Sequence, residues 1–347
     1  MSRFALTLLA LLYAAIPAGA CKYVRGPFLL ALESAAAPCN HPLCGQIVPT
    51  ARVRMPRDET SCGADTWMAL SGDLTQALSS GGVVLLGEMH DNAAQHSLRA
   101  KLIAELTDKS GDPPALVFEQ LTSAQQSGLD RFAELQTTDA AVATLSEFKR
   151  AVEWDKGGWA KYDYDALLQA ALDGKHAIYA GDVPRDAMMK AAKEGANALA
   201  AETRTRLGID TPLDPKLDDA SLAEIEAAHC GAMPKSAFGG MAFAQRYRDA
   251  HLADVALNAA EKHGSAVLIA GNGHVRTDRG VPWYIHQRAP DKKVVSVLLI
   301  EVEDGQNDPE TYAPRDPDGN PAADYIIFTP RADRGDPCEG IKAKKAG

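Results

Sequence analysis

Short uninterrupted apolar runs, separated by stretches with helical spacing, dominate the pattern of this chain. Val83 to Leu86 follows the glycine pair Gly81-Gly82, and a run of this kind without polar alternation predicts a strand buried on both faces. Leu98, Leu102, Ile103 and Leu106 then recur at intervals of three and four, which predicts a helix with one apolar face. A second strand is predicted at Ala115 to Glu119, after the turn Gly111-Asp112-Pro113-Pro114, and helical stretches continue to about Val152. A helical run from Tyr164 to Leu172 leads into a third strand at His176 to Ala180. Ser265 to Ala270 and Val294 to Glu301 give a fourth and a fifth, and Tyr325 to Phe328 reads as an edge strand. Between the third and fourth strands, Met188 to His263 is mostly helical with Pro and Gly breaks, the pattern of an insertion or lid. Buried strands alternating with helices predict an α/β fold, a mainly parallel sheet covered by helices.

The flanking segments differ in character. Arg3, the apolar run Phe4 to Ile16, Pro17 and the small residues Ala18, Gly19 and Ala20 read as a signal peptide over residues 1–20, and the run is short for a bilayer span. Export to the periplasm or the outer membrane is therefore expected. Cys21 directly after Ala20 leaves two processing routes open: cleavage after the small residues, or lipid attachment to Cys21 and hence a membrane anchor. Residues 21–80, rich in Pro, Ala, Gly and Cys with weak periodicity, predict an irregular lead-in. The α/β domain is expected over 81–330, with its helical insertion at about 188–263, and 331–347 as a solvated polar tail ending in Lys342, Lys344 and Lys345.

With 347 residues and 46% apolar content, the chain can bury one large core with appendages. Its formal charge of -10 is spread along the sequence, which leaves no basic footprint and argues against a nucleic-acid partner. Export permits disulfides among Cys21, Cys39, Cys44, Cys62, Cys230 and Cys338. Cys39-Asn40-His41-Pro42-Leu43-Cys44 reads as a small disulfide loop in preference to a metal clip through His41. The remaining pairings are not readable from sequence.

The chemistry collects at the predicted strand ends. The first strand ends Gly87-Glu88-Met89-His90-Asp91, the second at Glu119, the third at Gly181-Asp182 and the fourth at Gly271-Asn272-Gly273-His274. Parallel sheets bind ligands outside the carboxyl ends of their strands, so acids and imidazoles are expected to converge on one rim. Glu88 and His90 are two apart and leave the same face of an extended segment. If the strands are neighbours, Glu119 and His274 join them, a His/His/carboxylate set suited to a divalent transition metal such as Mn, Co or Zn, or without metal to acid/base work. Taken singly, each of these residues also has a plain reading as a turn or capping residue.

Basic residues flank the same ends: Arg185, Arg246, Arg248, Arg276 and Arg279. They suit carboxylates of a ligand, or pair internally with Asp182, Asp186, Asp249 or Asp278. Aromatic and sulfur side chains gather at Trp154, Trp159, Tyr162 and Tyr164 and at His229, Met233 and Met241. Such side chains can ligate haem iron or stack on a porphyrin; packing of core or lid is the alternative.

At these residues the sequence resembles the ChaN-like haem-binding uptake family of the Tiki superfamily. The resemblance runs from about Val83 to Ile300, through Leu85-Leu86-Gly87-Glu88-Met89-His90-Asp91, Phe118-Glu119-Gln120, Ala180-Gly181-Asp182-Val183-Pro184-Arg185, Ala244-Gln245-Arg246-Tyr247-Arg248-Asp249, and Gly271-Asn272-Gly273-His274-Val275 with Gly280-Val281-Pro282. It implies an α/β fold with a helical lid, and an exported, often lipid-anchored protein of haem or iron uptake in which a homodimer encloses haem. On that reading Arg185, Arg246 or Arg276 meets the propionates, and Tyr162, His229 or Met233 lies near iron. The wider superfamily is similar to metal-dependent hydrolases with paired Gly-x-x-His motifs, which carries over to Glu88, His90, Glu119 and His274 as metal or catalytic positions acting on a small molecule.

Overall fold

In the computed structural model of the protein, residues 39–50, 63–138, 143–336 and 338–339 are described. The segment read as a signal peptide, Cys21 and Cys62 lie outside them. Among the described residues seven strands form one sheet: β1 (Ile47–Pro49), β2 (Val83–Leu86), β3 (Ala115–Thr122), β4 (Ile178–Asp182), β5 (Ala266–Ile269), β6 (Val294–Glu301) and β7 (Tyr325–Thr329), in the spatial order β1-β7-β6-β2-β5-β3-β4. β1 runs antiparallel to β7, and the other six strands are parallel to one another. The expected α/β class and mainly parallel sheet are therefore observed.

Successive residues of a strand face opposite sides of a sheet, and both sides here are covered, which is why the strands carry no polar alternation. On one side Val84, Leu86, Leu116 and Phe118 pack with Leu70 and Leu74 of α1 (Gly63–Ser79), Leu98 and Ile103 of α2 (Ala93–Ser110), and Leu167 and Leu168 of α5 (Asp165–Asp173), with α3 (Gln126–Thr138) and α4 (Leu145–Ala151) at the margin. On the other side Val83, Leu85, Val117 and Leu268 pack against Ala253 and Ala256 of a long helix, Lys235–His263, and Tyr284 of a short one, Val281–Arg288. Counting α6 (Arg185–Glu194), α7 (Ala201–Leu207) and α8 (Pro215–Ala228) before them, these two are α9 and α10.

Four sequence expectations change. The lead-in is ordered at its end, where Leu70, Leu74, Ala77 and Leu78 supply a buried helical stripe in α1; the small and polar residues between them had masked its period. Tyr325–Thr329 is no edge strand: all five residues are buried, and the edge beyond it is the three-residue β1. The C-terminal half of the stretch read as a lid is the part of α9 that covers the sheet through buried alanines. The tail is not free in solvent up to Cys338, which is disulfide-bonded to Cys230. Cys39 and Cys44 do close the expected small loop, and within it His41 Nδ1 accepts from the backbone N–H of Leu43.

Candidate functional site

The carboxyl ends of β2, β5 and β3 lie side by side, and their loops are stitched together by backbone: the N–H of Asn272 donates to the carbonyl of Glu88 at 2.9 Å. Asn92 then caps α2 by accepting from the N–H of Gln95, while Gln95 Oε1 accepts from the N–H of Met89 at 2.6 Å. This turn aims Glu88 inward. Its Oε1 accepts from His90 Nδ1 at 2.7 Å, from Tyr164 Oη at 2.5 Å and from Gln120 Nε2 at 2.9 Å. Its Oε2 faces His96 Nε2 at 3.2 Å and is ion-paired to the fully buried guanidinium of Arg99.

Glu119 forms the second centre. Oε2 accepts from the backbone N–H of Gly271 at 2.6 Å, and Oε1 from Arg248 Nη2 at 2.7 Å, with His274 Nε2 at 3.2 Å and His90 Nε2 at 3.9 Å. His274 Nδ1 donates to Asp249 at 2.6 Å, and Arg248 grips Asp182 with Nε at 3.0 Å and Nη2 at 2.6 Å. The result is one line of alternating charge, Asp249, His274, Glu119, Arg248, Asp182, with His90 bridging to the pair Glu88 and Arg99.

The electrostatics follow from that line. Burial pushes the Glu119 carboxyl up, but His274, Arg248 and His90 outweigh it and hold it well below the usual carboxylate range. Burial pulls the His274 imidazole down; Glu119, and then Asp249, reverse this and raise it to about 10. His90 is lowered, because burial outweighs the neighbouring Glu119, so it is neutral near pH 7 with its Nδ1 proton directed at Glu88. Burial takes Arg99 down to about 10, still cationic at neutral pH.

Glu88, His90, Glu119 and His274 are thus neighbours. Yet each carboxylate has an arginine in place of an ion, and His274 is held protonated; among the described residues no group of three or more His, Cys, Asp or Glu has metal-holding geometry. The donor set does not fit the Mn, Co or Zn site read from sequence.

The remaining candidates separate. Tyr162 stands on the rim, its ring 6.4 Å from Trp159, which meets the His90 ring edge-on at 4.7 Å. Met89, the residue before His90, is 40% exposed. His229 and Met233 do not join: they precede Lys235, and fourteen residues of α9 from Lys235 to Asp249 span about 20 Å of helix. Arg246 donates to Tyr284 Oη and to the carbonyls of Ile209 and Thr211, and Arg276 to Asp278 and the carbonyl of Arg315, so both are occupied inside the fold. Arg185 is exposed at the start of α6. Sequence reading passed over Arg99 and His96, and offered Asp249 as the partner of an arginine where it holds His274; for Arg99 the signal was a charge on the buried face of α2, one residue from Leu98.

Gly271 is there for a close approach: a Cβ would stand 2.8 Å from His90 Cε1 and Nε2. Gly271→Ala is expected to leave the sheet intact, since the neighbour that must move is a side-chain tip, and to swing His90 off Glu88 at a cost of about 1–3 kcal/mol. A histidine NMR titration checks this; an unmoved His90 resonance and midpoint would refute the contact.

The model of the family described as haem-binding uptake, Tiki superfamily, ChaN matches residues 74–285. Among solved structures, one showing cofacial haem binding to ChaN of Campylobacter jejuni is similar at a TM-score of 0.58 and 20% identity, covering 83% of this chain and 98% of that one. An erythromycin esterase variant in its open conformation gives a TM-score of 0.42 and 12% identity over 84% of this chain and 99% of that one. No curated protein matches.

Proposed function

We propose, from the premise that this chain belongs to the ChaN-type haem-binding uptake family of the Tiki superfamily, that it is an exported haem-binding protein of haem or iron uptake. The observation that carries the reading, beside the family, is the rim itself: Trp159 and Tyr162 form an aromatic shelf next to His90. A porphyrin is flat and apolar with carboxylates on one edge, and the shelf suits its face. The Tyr162 hydroxyl has no hydrogen-bond partner among the described residues, and Lys161 Nζ lies 4.7 Å from its ring centre, so the phenol is available to the iron and a cation is at hand. His90 Nε2, by contrast, faces Glu119 and Gly271. Bound haem would supply a ferric centre for a phenolate or imidazole to hold. With Arg246 and Arg276 engaged elsewhere, Arg185 is the candidate for the propionates. Export rests on residues 1–20, anchoring on Cys21, and sharing of haem on a second copy of the chain.

Haemin titration tests this. The wild type is expected to give a saturable Soret shift, Tyr162→Phe a changed band position and weaker binding, and His90→Ala a spectrum close to wild type. No shift in the wild type, or one untouched by Tyr162→Phe, would reject the assignment.

A second reading is favoured by one specific observation, the neutral His90 whose Nδ1–H is held by Glu88. That arrangement makes Nε2 an acceptor able to take a proton from water, as in ester hydrolysis. Release of a chromogenic phenol ester that falls at least about 100-fold in His90→Ala would support it; rates equal to the uncatalysed reaction would dismiss it.

A further inference from the structure

The C-terminal tail lies outside the family match, which ends at residue 285, yet it is built into the rim. β7 is parallel to β6, so its end emerges beside the loop that carries His90. There Asn92 Nδ2 donates to the carbonyl of Pro330 at 2.9 Å. Arg334 then clasps Asp91, the residue next to His90, with Nε and Nη2 at 2.5 and 2.6 Å, and Glu301 at the end of β6 with Nη1 and Nη2 at 2.6 Å. Four residues on, Cys338 is bonded to Cys230.

Cys230 stands between α8 and α9, at the crest of the part of α9 that rises about 20 Å beyond Asp249. The α8 side of this crest is lightly held, whereas the α9 side is seated through buried Phe238 and the close approach of Gly240 to Ala192. α8 has no buried residue, and its side-chain ties are the ion pairs Lys216–Asp318, Glu224–Arg279 and Glu226–Lys235, in which Lys216, Asp318, Glu224, Glu226 and Lys235 are all exposed. Exposed pairs of this kind contribute little, and elements with few buried contacts open first. The covalent bond to the tail is the strong restraint, closing a loop of 108 residues.

We infer that the tail is a strap: the Cys230–Cys338 bond, with Arg334 on Asp91, tethers the α8–α9 crest to the loop that carries His90, and reductive release of that bond loosens both and opens the rim to a bulky ligand. In the step itself a dithiol donor gives two electrons and two protons; the S–S bond breaks, Cys230 and Cys338 become thiols, and the donor becomes a disulfide. An oxidising compartment keeps the strap fastened. The part of this inference that concerns ligand exchange rests on the haem reading; the part that concerns the lid does not.

The test uses the full chain and two measurements. Hydrogen exchange of Cys338→Ser and of Cys230→Ser is expected to rise at least about tenfold over residues 215–240 and to stay unchanged in β2, β5 and β6. The variant Cys39→Ser/Cys44→Ser, lacking the other disulfide, controls for general loosening and is expected to match the wild type over 215–240. Transfer of haemin from the loaded protein to apomyoglobin is expected to quicken by a similar factor in Cys338→Ser and on adding dithiothreitol to the wild type. Exchange over 215–240 equal to wild type, or raised equally through the sheet, would overturn the strap; a loosened lid with unchanged haemin transfer would overturn its role as a gate. Should haemin fail to bind the wild type, the haem reading falls, and the exchange data still decide the strap.

Discussion

Arg99→Met is expected to lower the melting temperature by roughly 10 °C, a loss of about 3–5 kcal/mol. The Arg99 side chain is fully buried and its guanidinium is paired with Glu88, which is equally buried. Methionine keeps most of the volume and removes the charge, so the carboxylate is left with Tyr164, Gln120 and the two imidazoles as its remaining neighbours. An uncompensated buried charge costs more than the net worth of the pair it came from. The double variant Arg99→Met/Glu88→Gln is therefore expected to recover more than half of the loss, because the amide carries no charge to be stranded. Thermal melts of the two single variants and the double variant complete the cycle. Equal stability of Arg99→Met and wild type would show that the ion pair does not hold the loop of His90 in place.

That pair also marks where sequence reading stopped. Val83 to Leu86 and Ser265 to Ala270 were legible as strands because both of their faces are buried, and the rim followed from their ends being parallel. Glu88 and His90 were paired correctly because a two-residue offset fixes their faces whatever lies around them. Arg99 was not legible, since a helix pattern scores a charge among leucines as a break in the apolar face and says nothing of a carboxylate waiting one strand away. The metal reading of the same four side chains failed for a related reason: spacing shows that acids and imidazoles meet, but Arg99 and Arg248, which claim the carboxylate oxygens, come from α2 and α9. Tail order was equally hidden, because Arg334 and Cys338 find their partners at Asp91, Glu301 and Cys230, far off in sequence.

Glu119→Gln is expected to cost about 3–5 kcal/mol at pH 7 and to change the shape of the stability curve against pH. In the wild type, His274 is raised to about 10 from an unfolded value of 6.5, chiefly by Glu119 acting against burial. A raised imidazole contributes stability that is fully present below pH 6.5 and lost as pH climbs through about 10. Glu119 has the opposite sign: its depressed carboxyl contributes above the unfolded value of 4.5 and loses that contribution as acid protonates it in the fold. His90, His96 and His176, all lowered by burial, favour the neutral form in the fold and so remove stability as pH falls below 6.5. The wild type should thus be most stable near pH 6.5, with a decline on the alkaline side, continuing to about pH 10, that belongs to His274. Glutamine keeps the shape of residue 119 but leaves His274 with Arg248 and burial pulling it down and only Asp249 holding it up. His274 then titrates nearer neutrality, and the decline between pH 8 and 10 should flatten while the whole curve drops. Melting temperatures measured from pH 5 to 10, with the His274 midpoint followed by NMR, decide the matter: a variant curve that runs parallel to the wild type would mean that Glu119 does not set the charge of His274.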